Sequence, residues 1–527
     1  MSPVRGWRVA EYDAVIVGSG VNSLACGALL ARSGWRVCVL ERADRLGGCV
    51  RTEELTEPGY HHDVLSAWHP LWVGGAAHAL LGDELAGRGL EYLNTELPTA
   101  TAFPDGSAAF LLRDADGNAA ELGPEWPGVL ERFFPTADLA FGILGVELWG
   151  ASGLALAVKA YRRLGRSGLA AFSGELLQSS RDWLQQTFAS ERAHGVLAPW
   201  VLHTGLGPDA ASSGFMTQVI AVAVQEGGMP IPRGGGAKLV DALVQLIRDH
   251  DGTCETESDV ERIVVRNGRA AGVRLSGGES IGAGRSVIAN VTPTQLYERL
   301  LDGPGPEGAR NFRYGRAEMQ IHFALSEPAR WDGDERLNRT AIVHVTPGLD
   351  GVSRAVNEAE RGLLPEEATI VVGQPLTMDP SRAPDGKGLL WIQLQELPSR
   401  IEWNDELRER YADRIQARLA RHIPNLESSI VQRVALGPHD LERMNVNLEH
   451  GDPYGGALTL DQNFLWRPFP GSRGHATPVE RLWHIGASTW PGPGLGAGSG
   501  TLVAQALLRP PLPRRAVARA LTAYKGR

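Results

Sequence analysis

An apolar strand, Ala14, Val15, Ile16 and Val17, runs into a glycine turn, Gly18, Ser19 and Gly20, and the next residues, Val21, Asn22 and Ser23, open a stretch rich in small side chains. A second apolar stretch, Val37 to Leu40, ends at an acid, Glu41. No other feature restricts the fold so closely: strand, glycine turn, helix, strand and acid, in that order, make a βαβ unit built round an adenine dinucleotide. Gly18 permits the tight turn, Gly20 lets the backbone approach a pyrophosphate, and the helix N-terminus offers unpaired N–H groups to it. Glu41 can bind a ribose hydroxyl. Ser23 stands in place of a third glycine and is small enough to keep helix and strand close, while Gly27 adds a close-packing position one turn later.

Which dinucleotide is bound follows from Arg45, Leu46, Gly47, Gly48, Cys49, Val50, Arg51 and Thr52. A glycine pair just after the ribose acid lets the chain fold back over a large extended cofactor, as FAD requires and a simple nicotinamide domain does not. From Gly18 to Thr52, with Glu53, Glu54, Leu55 and then Pro58, Gly59 and Tyr60, the chain resembles the amino-terminal signature of the phytoene dehydrogenase-like flavoproteins. Within them it is most similar to the branch named pyridine nucleotide-disulphide oxidoreductase domain proteins. Further segments carry the likeness: Pro232 to Lys238 with its three glycines, the pair Val260 to Ile263 and Gly272 to Val273, Asp461 to Gly471, and Leu482 to Gly492. The resemblance implies FAD as cofactor, held by Gly18, Gly20, Val21, Asn22, Ser23, Glu41, Arg42, Gly47, Gly48, Cys49, Arg51, Val260, Gly486, Ala487, Gly494 and Gly496. It also implies a discontinuous Rossmann-type FAD domain from residues 10–75, 228–300 and 476–510. Residues 76–227 and 301–475 then form the substrate domain, with 511–527 as a tail.

At 527 residues and 43% hydrophobic content the chain can bury a large core and divide into about two domains. A net charge of −9 argues against a nucleic-acid partner. Met1 to Glu11 is short and polar, so no standard secretion signal is expected. The four cysteines are scattered without a C-x-x-C pair, which points to neither a disulfide framework nor a metal site and fits a reducing, cytoplasmic setting. The disulphide chemistry in the branch name therefore lacks its thiol pair, and Cys49 reads as a small apolar filler.

The fold class expected is α/β, a Rossmann-type domain with a mixed-sheet and helical substrate domain. Residues 315–397 alternate as strands do, with Met319, Ile321, Phe323 and Leu325, then Leu390, Ile392 and Leu394, on one side. Asn404 or Asp405 can cap a helix carrying Leu407, Tyr411, Ile415, Leu419 and Ile423 on one stripe, ended by Pro424. From Leu139 to Val158 only Glu147 is charged, and Lys159, Arg162, Arg163 and Arg166 follow. Its glycines favour a buried or tunnel-lining helix pair over a spanning helix, with a surface that docks on a bilayer as the alternative.

An oxidised flavin accepts hydride at N5, so the protein must place a C–H bond over the ring and stabilise charge at its N1 and C2 carbonyl end. The run Gly492 to Gly500, ahead of an apolar helix from Thr501 to Leu508, suits the second duty. The reaction expected is desaturation, saturation or isomerisation of a C–C bond in a small apolar molecule, which need involve no protein base. Asp63, His69 and His203 are the acid–base candidates, whereas His484 inside an apolar strand reads as structural. No second strand, glycine turn and helix unit occurs, so electrons are expected to leave to oxygen or a quinone. Two rivals stay open: an amine or amino-acid oxidase, which needs an aromatic cage or an arginine clamp, and a flavin-holding protein with a binding role.

Overall fold

The computed structural model describes residues 12–509. The readings made on Met1 to Glu11, and on the tail 511–527, lie outside the described residues.

Two large sheets organise the chain. In the first, Tyr12–Val17 lies between Ser280–Asn290 and Val37–Leu40, and Thr253–Glu255 and Leu482–Ile485 extend the set, all parallel. The hairpin Val260–Arg266 and Arg269–Leu275 continues it antiparallel through Ser280–Asn290. Ala14, Val15 and Ile16 are fully buried, as befits a parallel strand covered on both faces. Segments hundreds of residues apart thus meet in one sheet because each offers a short apolar strand that only a neighbour can satisfy.

Helices Val21–Arg32, Ala237–Asp249 and Gly498–Leu508 share one core on this sheet. Helix Ala76–Ala86 joins them through Ala77, Leu81 and Leu85, followed by Leu90. Residues 76–90, assigned from sequence to the substrate side, therefore belong by packing to the dinucleotide side: their apolar stripe has its partners there. The apolar helix ahead of the C-terminus begins at Gly498, three residues earlier than the sequence reading placed it.

The second sheet runs in the order Ile430–Leu436, Ala317–Leu325, Gly388–Leu397, Ile370–Gly373, Ile342–Val345, Thr99–Ala102, Ala108–Leu111. One of its pairings is parallel and the rest antiparallel, a mixed sheet. Met319, Ile321, Phe323, Leu390, Ile392 and Leu394 face a core shared with helix Asp405–Leu419, whose first turn is capped by Asn404 Oδ1 accepting from Leu407 N at 2.9 Å. Because side chains alternate along a strand, the opposite face receives Glu318, Gln320 and His322 from one strand and Trp391, Gln393 and Gln395 from the next. Of those groups Glu318, Gln320, His322, Trp391 and Gln395 are almost completely covered, and Gln393 is partly so.

A buried ion pair ties the substrate sheet to the dinucleotide unit. Arg382 donates to Asp63 Oδ2 at 2.7 Å, and both side chains are covered from solvent. Asp63 Oδ1 accepts from Thr52 Oγ1 at 2.7 Å and from Gly236 N at 2.8 Å. The glycine segment Pro232 to Lys238 is fixed here, with Gly234 N donating to Asp379 at 2.7 Å. Removing one member of such a pair strands the other, at a cost of about 3–5 kcal/mol.

Leu139 to Val158 folds as the end of helix Ala137–Leu144, a glycine-broken turn, and the start of helix Ala151–Leu177. Among the described residues no helix is long and apolar enough to cross a membrane. Of the expected buried or tunnel-lining pair, the shorter helix buries Leu139 and Ala140 and lines a cavity with Phe141 and Leu144, whereas in the longer helix Ala160 alone is buried and Leu154, Val158 and Tyr161 stand exposed.

Candidate functional site

One cavity of about 1170 Å³ runs between the two sheets. At its dinucleotide end three backbones meet more closely than side chains would allow. A Cβ on Gly20 would lie 3.1 Å from Asn290 Nδ2, and one on Gly48 would lie 3.2 Å from Gly20 Cα. One on Gly47 would meet the Val50 carbonyl at 2.6 Å and Val240 at 2.7 Å. Gly18, Gly47 and Gly48 also hold positive φ (85°, 114° and 60°), which glycine adopts without a Cβ penalty. The glycine pair folds onto the first turn, with Gly20 and Gly47 paired as a β-bridge.

Ser19, inside the turn, was not singled out from sequence. Its N–H and hydroxyl donate to one oxygen of Glu41, at 2.9 and 2.7 Å, and its Oγ accepts from Gly47 N at 2.9 Å. Ala43 N donates to the second oxygen of Glu41 at 3.0 Å. The ribose acid is thereby oriented by the loop it serves. A hydroxyl at the free position of a glycine turn is the signal that could have marked Ser19.

Of the residues expected to hold FAD, Gly18, Gly20, Val21, Asn22, Glu41, Arg42, Gly47, Gly48, Cys49, Arg51, Val260, Ala487, Gly494 and Gly496 all line this cavity. Ser23 and Gly486 do not. Ser23 Oγ instead accepts from Asn290 Nδ2 at 2.9 Å, and Gly486 leaves room for the same asparagine, whose Oδ1 a Cβ would meet at 2.2 Å. Asn22 both lines the cavity and pins the last helix, accepting from Gly500 N at 3.0 Å. The glycine cradle fits an extended dinucleotide, since a Cβ added at Gly18, Gly20, Gly47 or Gly48 would crowd the backbone or Asn290 that shapes it.

Toward the second sheet the cavity widens into a chamber walled by Trp200, Met216, Ile220, Ile342, Trp391, Phe464 and Trp490. Leu71, Phe141 and Leu144 line it as well, the first two exposed. Cys49 lies at the junction, donor-contacted by Asn445 Nδ2 at 3.5 Å, and burial pushes its thiol up to about 11. It forms no disulfide.

The acid–base candidates separate on inspection. Asp63 is outside the cavity, saturated by Arg382, Thr52 and Gly236. His69 is also outside it, fully buried with Nδ1 3.0 Å from the Tyr92 hydroxyl, and burial pushes its pKa down to about 4. Both follow the FAD signature in sequence but serve the junction between the sheets. His203 does line the chamber, yet Nε2 meets His344 Nε2 at 3.2 Å, Nδ1 faces Gln395 Nε2 at 3.4 Å, and its ring stacks on Trp200. Burial holds it down to about 4, so it is neutral and engaged. His484 is buried and contacts the Val291 carbonyl at 2.7 Å.

Sequence reasoning missed Glu318. It lines the chamber while only 4% exposed, and among the described residues lining the chamber it is the one buried carboxyl beyond Glu41 at the ribose end. Its Oε1 accepts from Gln393 Nε2 at 2.7 Å and from Gln320 Nε2. Burial pushes its pKa up to about 7 against those two amide donors, with the Asp452 carboxylate adding to the rise. Tyr454 and Cys49 are the other titratable groups under its influence.

Two outcomes follow. A side chain at Gly48 would crowd the Gly20 backbone at 3.2 Å in a left-handed conformation that favours glycine, so Gly48→Val should weaken FAD binding at least about tenfold in a flavin fluorescence titration; unchanged affinity would contradict the cradle. Glu318 stays protonated in the folded chain over a range, from its ordinary 4.5 to about 7, where the unfolded chain has released the proton. Stability must then fall as pH rises through that window. Glu318→Gln should melt above the wild type beyond pH 7, with the difference shrinking toward pH 4.5, and a pH-independent difference would contradict the buried acid.

Comparison with known proteins agrees with this geometry. Residues 24–445 match the family of flavin containing amine oxidoreductases. The chain is 25% identical to pyridine nucleotide-disulfide oxidoreductase domain-containing protein 2 of Rattus norvegicus, over 96% of this chain and 95% of the relative. It is 24% identical to the neurosporene-forming phytoene desaturase of Rhodobacter capsulatus, covering 95% and 94%. It is 22% identical to a polypeptide of the limonene dehydrogenase of Castellaniella defragrans, covering 92% of each. In fold it is similar to a putrescine oxidase bound to putrescine, with TM-score 0.59, 18% identity, and 94% and 99% of the two chains covered. The chain belongs to the flavin containing amine oxidoreductase family and is a phytoene desaturase-like, FAD-dependent oxidoreductase.

Proposed function

We propose that the chain changes the oxidation state, or the double-bond position, of a C–C bond in a largely apolar small molecule. The observation that carries this is the chamber itself: aromatic and aliphatic side chains wall a space that opens onto Gly47, Gly48 and Cys49 and onto the backbone from Gly492 to Gly496. FAD, when bound, supplies a hydride acceptor at N5. The protein's share is to exclude water with Trp200, Trp391 and Trp490, to orient the reacting carbon, and to present the close backbone around Gly494 and Gly496 where charge develops. The relatives named for phytoene and limonene support an apolar substrate. Oxygen or a quinone is the acceptor in this reading.

Amine oxidation is the second reading, favoured by the family's name and the putrescine oxidase likeness in fold. The described arginines lining the cavity, Arg42, Arg45, Arg51 and Arg299, all belong to its dinucleotide side, which supplies no carboxylate clamp for an amino acid in the chamber. Anaerobic mixing of the FAD-loaded protein with phytoene, limonene, putrescine and cyclohexylamine separates the readings. Bleaching of the flavin bands by a hydrocarbon is the expected result. Bleaching by the amines alone would replace the first reading by the second, and bleaching by none would leave the substrate open and favour saturating or isomerising chemistry over hydride removal.

We further propose that substrate enters from a bilayer surface. Phe134, Phe141, Leu154, Val158 and Tyr161 are exposed on neighbouring helices and Trp149 on the turn between two of them, with Lys159, Arg162, Arg163 and Arg166 beside them, and Phe141 also lines the cavity. Trp149 Nε1 donates to the Leu465 carbonyl at 2.7 Å, which adds exposed Leu465 and Trp466 to the patch. Apolar area with a basic flank suits anionic lipid. The protein should sediment with phosphatidylserine vesicles at low salt and Leu154→Asp with Tyr161→Asp should abolish it; equal recovery of both proteins in the pellet would refute the surface.

A further inference from the structure

We propose that the chamber is built for an amphipathic ligand, an apolar body with one neutral oxygenated end, and that Glu318 holds that end as a hydroxyl or carbonyl, with Gln393 and Gln395 beside it. This rests on the chamber being the substrate site, and it narrows the substrate class from a plain hydrocarbon to an oxygen-bearing one.

A hydrocarbon would be poorly served by this wall. Glu318, Gln393 and Gln395 line the chamber from two adjacent strands, and His203 and Tyr454 line it too, among the aromatic walls: Trp391 shares the face of Gln393 and Gln395, and Trp200 stacks on His203. These polar groups have hydrogen-bonding capacity that the protein does not use. Gln395 donates to the Tyr454 hydroxyl at 2.9 Å while its Oε1, in a side chain 2% exposed, has no partner. Glu318 receives both of its amide donors on Oε1, and its Oε2 makes no hydrogen bond with the described residues. An apolar ligand that sealed the chamber would cut the free Glu318 oxygen off from water without a partner, whereas a hydroxyl would supply one.

The choice of a neutral oxygen over an ammonium comes from the surroundings of Glu318. Amides, not cations, face it, and the nearby Asp452 carboxylate is already committed to the N–H groups of Gly315, Tyr454 and Gly456. Burial favours its protonated form near neutral pH. A carboxylic acid offers an O–H to a hydroxyl or carbonyl oxygen, and its carbonyl oxygen can accept in return. Glu396, equally buried on the next strand, is the internal contrast: Thr369 satisfies it from N and Oγ1, it lies on the core side of the sheet, and it does not line the chamber.

The test uses one carbon skeleton in three forms, limonene, perillyl alcohol and perillylamine, titrated calorimetrically into the FAD-loaded full chain and into Glu318→Leu, Glu318→Gln and Gln395→Leu. The alcohol should bind at least tenfold tighter than limonene. That preference should be lost in Glu318→Leu, reduced in Gln395→Leu, and kept within about threefold in Glu318→Gln, which retains a donor and an acceptor. Limonene binding at least as tightly as the alcohol, preference for the amine, an alcohol affinity indifferent to Glu318→Leu, or saturable binding by none of the three would each overturn the proposal. Flavin bleaching is recorded separately, so loss of the preference with bleaching by hydrocarbon intact would sink this inference alone.

Discussion

The structure depends on backbones approaching one another where no side chain fits. The turn at Gly18 to Gly20 and the position Gly486 close round Asn290, Gly48 closes on Gly20 and Gly47 on Val50 and Val240, and Gly500 closes on the carbonyl of Asn22, where a Cβ would come within 2.0 Å. These contacts join the first strand, the ribose loop and the final helix, which come from opposite ends of the chain. They also create the concavity that a pyrophosphate requires, where the backbone at the start of the first helix can approach it closely. Stability and cofactor binding therefore draw on the same few positions.

The second sheet solves a different problem. Its strands are apolar on one face, where helix Asp405–Leu419 completes a core, and on the other, where the chamber lies, strands Ala317–Leu325 and Gly388–Leu397 carry polar side chains beside apolar ones such as Ile342 and Trp391. Burying a polar face is costly unless its groups are satisfied, and most are, by one another: Gln393 and Gln320 on Glu318, Gln395 on Tyr454, Tyr454 on the Leu202 carbonyl at 2.8 Å. Those left over mark the side from which a ligand is read. The Asp63 to Arg382 pair then fixes this sheet against the glycine cradle, so that cofactor and substrate share one space.

Much of the dinucleotide end was legible in the sequence, because its requirements are local. A glycine turn between strand and helix, and an acid at the end of the next strand, can be recognised without knowing what lies across from them. The chamber was not legible for the opposite reason. Glu318, Gln320 and His322 alternate with Met319, Ile321 and Phe323, and such a pattern normally describes a strand with one face in water. Only the helices and the first domain, packed over that face, make it an interior. Asp63 and His69 misled through proximity in sequence: the partner that claims Asp63, Arg382, is 319 residues away. Helix Ala76–Ala86 was assigned to the wrong side because its composition carries no address, and its stripe is met by residues beyond position 230.

The central claim is that the FAD cradle and the apolar chamber are one continuous cavity, and a difference absorption spectrum tests it most directly. FAD-loaded protein is titrated with a saturated, unreactive terpenoid whose binding is established independently by calorimetry. The expected result is a saturable shift of the flavin bands with a midpoint equal to the calorimetric one, because a ligand in the chamber replaces water against the ring. A ligand that binds at full stoichiometry and leaves the flavin spectrum unchanged would contradict the shared cavity.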